Sequence, residues 1–317
     1  MFIELALKIK NDFWRYLIGS LIVFAMAIIG QFPLMGVIGY KAIQNNDLTF
    51  LNEETIYNYL DSNLFLFLML ISFLFALVGL WLALKYLHHQ RFKEIITTRP
   101  KVDWKRIMFA FLFWGILSSG LVILDYLYLT PEDYQFNFEL NRFLLLAVIA
   151  IALIPIQTSV EEFLFRGYLM QGFGILAKNR WFPLLLTSLI FGSLHVFNPE
   201  VEKLGYSIMV YYIGTGLFLG ILTLMDEGME LSLGFHAANN LFTALLVTSD
   251  WTAFQTYSIL KDVSEPHLDF IDLVLPVFIL FPVLLLIFAK VYKWKNWKEK
   301  LFGKLELGPT EDYKIIE

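Results

Sequence analysis

The sequence lacks cysteine altogether, and few of its 317 residues are charged. The absence of cysteine excludes disulfide bonds, thiolate metal sites and a cysteine nucleophile. Asp, Glu, Lys and Arg make up 17% of the chain, against roughly 25% in an ordinary soluble domain. There is also no broad basic face of the kind that nucleic-acid binding requires. We therefore expect no nucleic-acid partner.

Hydrophobic residues are abundant instead. They make up 58% of the chain, and 31 residues are Phe. The mean hydropathy is +0.63. A soluble domain of this length could not cover so much apolar surface with its own polar groups, so we expect lipid to be the solvent for much of it. The first apolar run is longer than the core of a signal peptide, and we interpret it as a retained helix.

Eight apolar segments approach or reach the length of helix that crosses a bilayer, which is roughly 20 residues. They are residues 17–39, 64–86, 107–129, 143–165, 183–197, 206–225, 231–249 and 271–290. The fifth is short and could begin as early as Trp181. The sequence therefore predicts an all-α fold, a polytopic membrane helix bundle of about eight transmembrane helices.

Lysine and arginine are divided unevenly between the two ends of these segments. The chain has 24 such residues, and all but four fall at the end that carries both termini. The four exceptions are Lys41, Arg142, Lys203 and Lys261. Cytoplasmic loops carry an excess of Lys and Arg, so the sequence predicts that both termini are cytoplasmic. We call the two ends of the bundle the lysine-rich end and the lysine-poor end.

Ionisable residues inside such segments are costly and usually mark a pathway or a site. The fourth segment ends with Glu161, Glu162 and Arg166. Glu162 and Arg166 are four residues apart, so they can form an ion pair on one helical face. Glu161 lies about 100° round the helix from Glu162 and shares its face with Gln157. We expect these acids near the lysine-rich end, where an ordinary solvated helix end is the simpler alternative.

Two of the five histidines fall inside apolar segments. His195 lies in the fifth, and His236 lies in the seventh, four residues before Asn240 and on the same helical face. Counted along the helices, His195 lies deeper than His236, so a shared site requires the fifth segment to tilt or to start deeper. Each could instead be an ordinary polar group that joins two helices. The other histidines lie in predicted loops, where we expect solvated side chains: His88, His89 and His267.

Hydrolysis by water is the chemistry that these groups allow. A Glu and a His that converge on one water can share the work of a general base, or they can hold a metal that lowers the pKa of that water. A second His and an Asn amide can donate hydrogen bonds to the oxyanion of an attacked carbonyl. The His-Glu-x-x-His motif of many zinc proteases is absent. The residues leave both forms of water activation open.

The three polar segments resemble the signature of the CAAX-protease and bacteriocin-processing family, also called the Abi family. That signature is Glu-Glu-x-x-x-Arg, Phe-x-x-x-His and His-x-x-x-Asn, on separate helices. Here it reads Glu161-Glu162…Arg166, Phe191…His195 and His236…Asn240, in the family's order. Each motif alone is weak, whereas all three in order on membrane helices are specific. The resemblance implies an eight-helix bundle, in agreement with the hydropathy.

The resemblance also implies a function for the site. The roles would be water activation by Glu161 and His195, oxyanion stabilisation by His236 and Asn240, and support from the pair Glu162 and Arg166. The implied enzyme is an intramembrane endopeptidase similar to CAAX prenyl proteases, with the catalytic core helices in residues 143–249 of a single membrane domain, 1–317. If such a site holds zinc, its ligands would be Glu161, His195 and His236; a metal-independent mechanism is the alternative.

Partners and location follow from the same resemblance. The expected substrate is a membrane-associated or lipidated protein or peptide in the lipid bilayer, and the expected location is a bacterial cytoplasmic membrane. Eukaryotic family members remove the last three residues of prenylated proteins, and bacterial relatives are linked to bacteriocin self-immunity and peptide maturation. We expect the site to open toward the lysine-rich end.

Two other functions fit the same residues. A proton-coupled transporter could use Glu161, His195 and His236 as a relay, although the sequence shows no internal repeat of the kind many transporters have. A catalytically silent immunity or scaffold protein could also retain the motifs. Peptidase activity distinguishes the enzyme from both.

Overall fold

The computed structural model of the protein describes residues 1–44 and 60–305. In chain order, its helices are α1 Phe13–Gln44, α2 Ser62–His88, α3 Trp104–Leu129, α4 Leu140–Ala177, α5 Trp181–Phe197, α6 Pro199–Leu204, α7 Tyr206–Asp226, α8 Glu230–Leu246, α9 Phe270–Tyr292 and α10 Trp297–Phe302. A short 3-10 helix, Ile3–Lys8, precedes α1. The predicted single domain includes residues 45–59 and 306–317, which lie outside the described residues, so that prediction stays open.

Helices occupy all eight predicted spans, and the all-α prediction is confirmed. Six of the described helices are long and apolar enough to cross a membrane: α1, α2, α3, α4, α7 and α9. The other two, α5 and α8, are shorter. Aspartates set two of the starts, since Asp61 accepts from the backbone N–H groups of Asn63 and Leu64, and Asp103 accepts from that of Lys105. Such caps satisfy donors that have no partner within a helix.

Helix α4 is longer than the sequence predicts. We expected it to end at residue 165, but it continues to Ala177 through a π-helical turn, Phe163–Leu169. Two of the three glycines of the extension, Gly172 and Gly174, allow close contact with the N-terminal region: a Cβ on Gly174 would lie 2.4 Å from a side-chain atom of Ile3. Residues that resemble a loop in the sequence are therefore a buried helix.

Helix α8 lies at the centre of the bundle. It packs against α3 and α4, while α2 packs against α4 and α5 packs against α7. Every residue from Glu230 to Ala238 is buried. Gly234 permits the approach of α3, because a Cβ there would lie 2.1 Å from the carbonyl oxygen of Ile107. The central position of α8 places His236 inside the protein.

A group that we call the ion-pair cluster closes the lysine-rich end: Arg99, Arg106, Asp226 and Glu230. Arg99 donates to both carboxylates, each at 2.9 Å, and Arg106 also pairs with Asp226. The backbone N–H of Asp103 donates to the remaining oxygen of Glu230 at 3.2 Å. Asp226 and Glu230 are buried, so α8 begins inside the protein.

His88 is also buried at the lysine-rich end, so the expectation that it is solvated was wrong. Its Nδ1 donates to the Lys10 carbonyl at 2.7 Å, and its Nε2 lies 2.9 Å from the Tyr168 hydroxyl. The contact arises because α4 extends far enough to bring Tyr168 beside α2. His89 and His267 are exposed, as expected.

Three short strands cover part of the lysine-poor end: β1 Tyr134–Phe136, β2 Val247–Thr248 and β3 Leu260–Asp262. Strand β3 lies in the middle, antiparallel to β1 and parallel to β2. The seventh predicted span, to residue 249, ends instead at Leu246, where the chain turns into β2. The sheet ties the segment after α8 to the segment before α4.

Candidate active site

Glu161 and Glu162 lie side by side on α4 but face different surroundings. Consecutive residues of a helix point about 100° apart. The side chain of Glu162 is 0% exposed, whereas that of Glu161 is 16% exposed and lines a cavity. Two adjacent carboxylates are thus divided into one that is enclosed by protein and one that can reach a ligand.

Arg166 is the partner of the enclosed carboxylate, so the predicted pair is present. Its Nη1 donates to Glu162 Oε1 at 2.9 Å, and its Nη2 donates to the Gly216 carbonyl at 3.2 Å. The guanidinium lies 4.2 Å from the ring centroid of Phe191, a cation–π distance. Arg166 is fully buried, so the solvated helix end considered from the sequence is wrong.

His236 connects the two glutamates. Its Nδ1 lies 2.9 Å from Glu162 Oε1, and its Nε2 lies 3.6 Å from Glu161 Oε2. A carboxylate accepts, so Nδ1 carries the proton and donates a hydrogen bond to Glu162. We call the resulting chain of contacts, Arg166–Glu162–His236–Glu161, the site cluster. Only Glu161 of these four residues lines the cavity.

His195 reaches the cavity from α5. Its Nδ1 donates to the Phe191 carbonyl at 2.9 Å, because a carbonyl oxygen can only accept. A neutral ring then carries the Nε2 lone pair as an acceptor. The ring stacks on Tyr212 with centroids 4.4 Å apart and an interplanar angle of 22°. These two contacts hold the imidazole in one orientation while leaving Nε2 available.

Two amide side chains complete the polar wall of the cavity. The Gln157 amide donates to Glu161 Oε1, and its carbonyl oxygen accepts from the Asn240 amide at 3.3 Å. Asn239 in turn donates to the Asn240 carbonyl oxygen at 3.2 Å. The sequence places Gln157 on the face of Glu161 but indicates no role for it. The spacing of four residues on a helix was the available signal.

The cavity has a volume of about 530 Å³ and extends toward the lysine-poor end. Near its base lie the predicted residues Glu161, His195 and Asn240. Farther along, its walls come from the start of α6 and from the segment that follows α8, residues 247–254. Both wall segments lie at the lysine-poor end of the bundle. The expectation that the site opens toward the lysine-rich end was therefore wrong. That expectation placed Glu161 at the end of its helix, whereas α4 continues past Glu161 to Ala177.

One of the two explanations expected for the difference in depth between His195 and His236, a deeper start of the fifth segment, was wrong. Helix α5 starts at Trp181 and does not start deeper. Helix α8 instead begins at Glu230, which the ion-pair cluster covers. Because α8 begins inside the protein, His236 lies deeper than its six-residue distance from Glu230 would place it if α8 began at the membrane surface.

The three residues proposed as zinc ligands do not fit a metal ion as they are arranged. Among the described residues, one group of three His, Asp or Glu side chains has ligand atoms within 4.8 Å of one another, and it is the exposed set His267, Asp269 and Asp272. Glu161, His195 and His236 do not form such a group. His236 Nε2 lies 3.6 Å from Glu161 Oε2, so His195 is the residue that lies too far away to complete the group.

Comparison with known proteins assigns the family. A family model described as type II CAAX prenyl endopeptidase Rce1-like matches residues 140–242. An uncharacterized protein of Bacillus subtilis (strain 168), YyaK, is 34% identical over 240 residues, which cover 75% of this chain and 79% of that protein. The chain belongs to the Rce1-like family. The resemblance inferred from the motifs is confirmed.

Membership in the Rce1-like family agrees with the position of the site. The matched residues run from the start of α4 into α8, and they include every motif residue. The chain is thus an integral membrane protein of a CAAX endopeptidase family. No solved structure matches it. The roles of the individual residues stay predictions.

Proposed function

We propose that the protein is an intramembrane endopeptidase that hydrolyses a peptide bond of a membrane-associated peptide with an activated water. One observation carries this proposal: the site cluster ends in Glu161, and Glu161 alone of its four residues faces the cavity. A carboxylate of this kind, held by a hydrogen bond from the Gln157 amide and able to reach a ligand, is suited to general base catalysis. Membership in the Rce1-like endopeptidase family supports the same reaction class.

Water activation is assigned to Glu161 and His195. Both line the cavity, and a water between them can donate one hydrogen bond to the carboxylate and one to His195 Nε2. Glu161 removes a proton from the water as its oxygen attacks the carbonyl carbon of the substrate. Glu161 then gives that proton to the departing amine, so the carboxylate is regenerated when the peptide bond breaks.

Oxyanion stabilisation is assigned to the amide of Asn240. Asn240 lines the cavity, and its long hydrogen bond to Gln157, at 3.3 Å, uses one of its two N–H donors. The other can donate to the carbonyl oxygen as negative charge develops there. His236, assigned to the oxyanion by the resemblance, lies between the two glutamates instead. Its Nε2 contacts Glu161 at 3.6 Å without a hydrogen bond, and its position supports a role in packing beside that carboxylate.

Glu162 and Arg166 are positioning residues in this mechanism. Glu162 fixes the tautomer of His236 by accepting from Nδ1, as a carboxylate does for the histidine of many hydrolases. Arg166 supplies the positive charge that a buried carboxylate requires. No step is assigned to a metal, since the arrangement does not fit one.

Substrate access is proposed from the lysine-poor end, where the cavity walls end. With the termini in the cytoplasm, as the distribution of Lys and Arg predicts, this end is extracytoplasmic. A substrate would then be a peptide segment at or beyond the outer leaflet.

Cleavage of membrane-tethered peptides tests the proposed function. The full-length protein is reconstituted in lipid nanodiscs with a library of acylated peptides, and mass spectrometry identifies the products. We expect internal cleavage that the Glu161→Gln variant does not catalyse. A protein that takes up protons or solutes in proteoliposomes but cleaves no peptide would contradict the proposal.

A further inference from the structure

The outer part of the cavity contains two polar groups that the mechanism does not use. Glu200 lies in the first turn of α6, and Trp251 lies in the segment after α8. Glu200 Oε1 accepts from the backbone N–H of Ala253 at 3.1 Å. Glu200 Oε2 and Trp251 Nε1 are both buried without a hydrogen-bond partner. Both residues line the cavity.

Buried polar atoms without partners are uncommon in native proteins, and each calls for an explanation. Glu200 already has a structural contact through Oε1, so its second oxygen is not needed to hold α6 in place. Glu200 and Trp251 line one cavity, and an acceptor and a donor that lack partners beside it are features expected of a binding subsite. The acceptor is a carboxylate and the donor is an indole N–H, so a ligand must offer a donor to the first and an acceptor to the second.

The charge of the cavity wall selects the ligand. Among the described residues, those lining the cavity include three carboxylates, Glu161, Glu200 and Asp262, and no lysine or arginine. A free C-terminal carboxylate or an acidic side chain would find no counter-ion there. A basic side chain would be attracted by all three carboxylates. Burial also raises the pKa of the Glu200 carboxyl, and a nearby positive charge favours its ionised form.

We propose that Glu200 and Trp251 form a specificity subsite for a lysine or arginine side chain within an internal segment of the substrate. Glu200 Oε2 accepts from the ammonium or guanidinium group, and the indole N–H of Trp251 donates to a backbone carbonyl of the same segment. This inference rests on the proposed function, because it names the peptides that the endopeptidase accepts.

A peptide scan tests the subsite by binding and by cleavage. One acylated fluorescent peptide is prepared with Lys, Gln or Glu at each position in turn. Binding is measured by fluorescence anisotropy in nanodiscs with full-length Glu161→Gln protein, which does not turn the peptides over. At one position we expect Lys to bind about tenfold more tightly than Gln, as a hydrogen bond between charged groups predicts, and Glu to bind more weakly than either.

Glu200→Gln is the decisive variant. Its amide oxygen still accepts from Ala253, so the fold survives, while the charge is lost. We expect the preference for Lys to disappear with no change in affinity for the Gln peptide. The control is Glu202→Gln, which makes the same change at an exposed position of α6 and should keep the preference. Trp251→Phe should weaken binding of the Lys and Gln peptides alike.

The outcomes separate this inference from the proposed function. A Lys preference absent at every position, or unchanged in Glu200→Gln, would overturn the subsite. A Lys preference that Glu200→Gln abolishes, without cleavage of any peptide by the unaltered protein, would support the subsite and overturn the endopeptidase. If cleavage occurs, the preference should appear in KM, with kcat unchanged.

Discussion

Two buried clusters of charged residues lie in this bundle, and they differ in how completely their charges are paired. The ion-pair cluster has two guanidinium groups for two carboxylates, and each of its four carboxylate oxygens has a partner. The site cluster has one guanidinium, that of Arg166, for the carboxylates of Glu161 and Glu162. One oxygen of Glu162 has no partner, and Glu161 faces the cavity.

The difference indicates which cluster serves structure and which serves chemistry. A balanced cluster with every group satisfied has nothing left to offer a substrate, and it closes the end of the bundle. An unbalanced cluster beside a cavity keeps a charged group available, which is a common property of functional sites. Charge balance and access to the cavity, rather than burial alone, separate the two.

Removing one histidine beside the cavity and one at the lysine-rich end should produce the largest difference between the two ends of the bundle. His195→Ala removes the Nε2 acceptor that orients the water, and we expect the cleavage rate to fall by about 10²-fold, the low end of the range for acid–base catalysis, because Glu161 still takes the proton. The fold should survive, since among the described residues the side chain of His195 hydrogen-bonds only to its own helix. The control is His88→Ala at the lysine-rich end, which should lower the melting temperature but leave the rate per folded molecule unchanged. Equal losses of activity in the two variants would contradict the distinction.

Loss of Glu230 should affect stability and spare the chemistry. Glu230→Ala leaves the partly exposed Arg99 with Asp226 as its remaining carboxylate, and losing a hydrogen bond between charged groups costs about 1.5–3 kcal/mol. We expect that decrease in the free energy of unfolding, measured by denaturant titration in detergent. Cleavage per folded molecule should not change. For comparison, Glu139→Ala breaks an exposed ion pair with Arg142 and should have no measurable effect on stability.

Asn240→Ala tests the proposed oxyanion donor. We expect the cleavage rate to fall by about 100-fold, as when one such donor is removed from another hydrolase. The effect should appear in kcat rather than KM, because the donor acts mainly in the transition state. Asn137→Ala is the matched control, since its amide donates to the Ser258 carbonyl at the lysine-poor end away from the cavity. A similar loss of activity in that variant would point to stability instead.

Chelation should have the smallest effect. The geometry of Glu161, His195 and His236 does not fit a zinc ion, so we expect activity to persist after treatment with EDTA or 1,10-phenanthroline. Metal analysis of the purified protein should accompany the assay. Loss of activity that added zinc restores would show that the residues rearrange around a metal.

The sequence predicts the parts of this molecule that depend on local geometry. Apolar run length predicts the helices, and a spacing of four residues predicts the Glu162–Arg166 pair. The same rule explains why Glu161 faces elsewhere. The length of a span requires only the rise of a helix, and the two spacing arguments require only its period.

The remaining features depend on how helices pack. Contact between His236 and Glu162 requires a particular register of α8 against α4, which no spacing in the sequence reveals. The burial of His88 requires α4 to extend to Tyr168 and beyond, through residues that resemble a loop. The direction in which the cavity opens depends on the segment after α8, and its residues have no hydrophobic period.

The central claim is that Glu161, the carboxylate facing the cavity, is the general base. Its most direct test compares unaltered protein with Glu161→Gln, in the same nanodiscs, by peptide cleavage and by thermal unfolding. We predict that the variant unfolds at the same temperature and cleaves at least about 10²-fold more slowly. A folded Glu161→Gln variant that cleaves at the unaltered rate would contradict the claim.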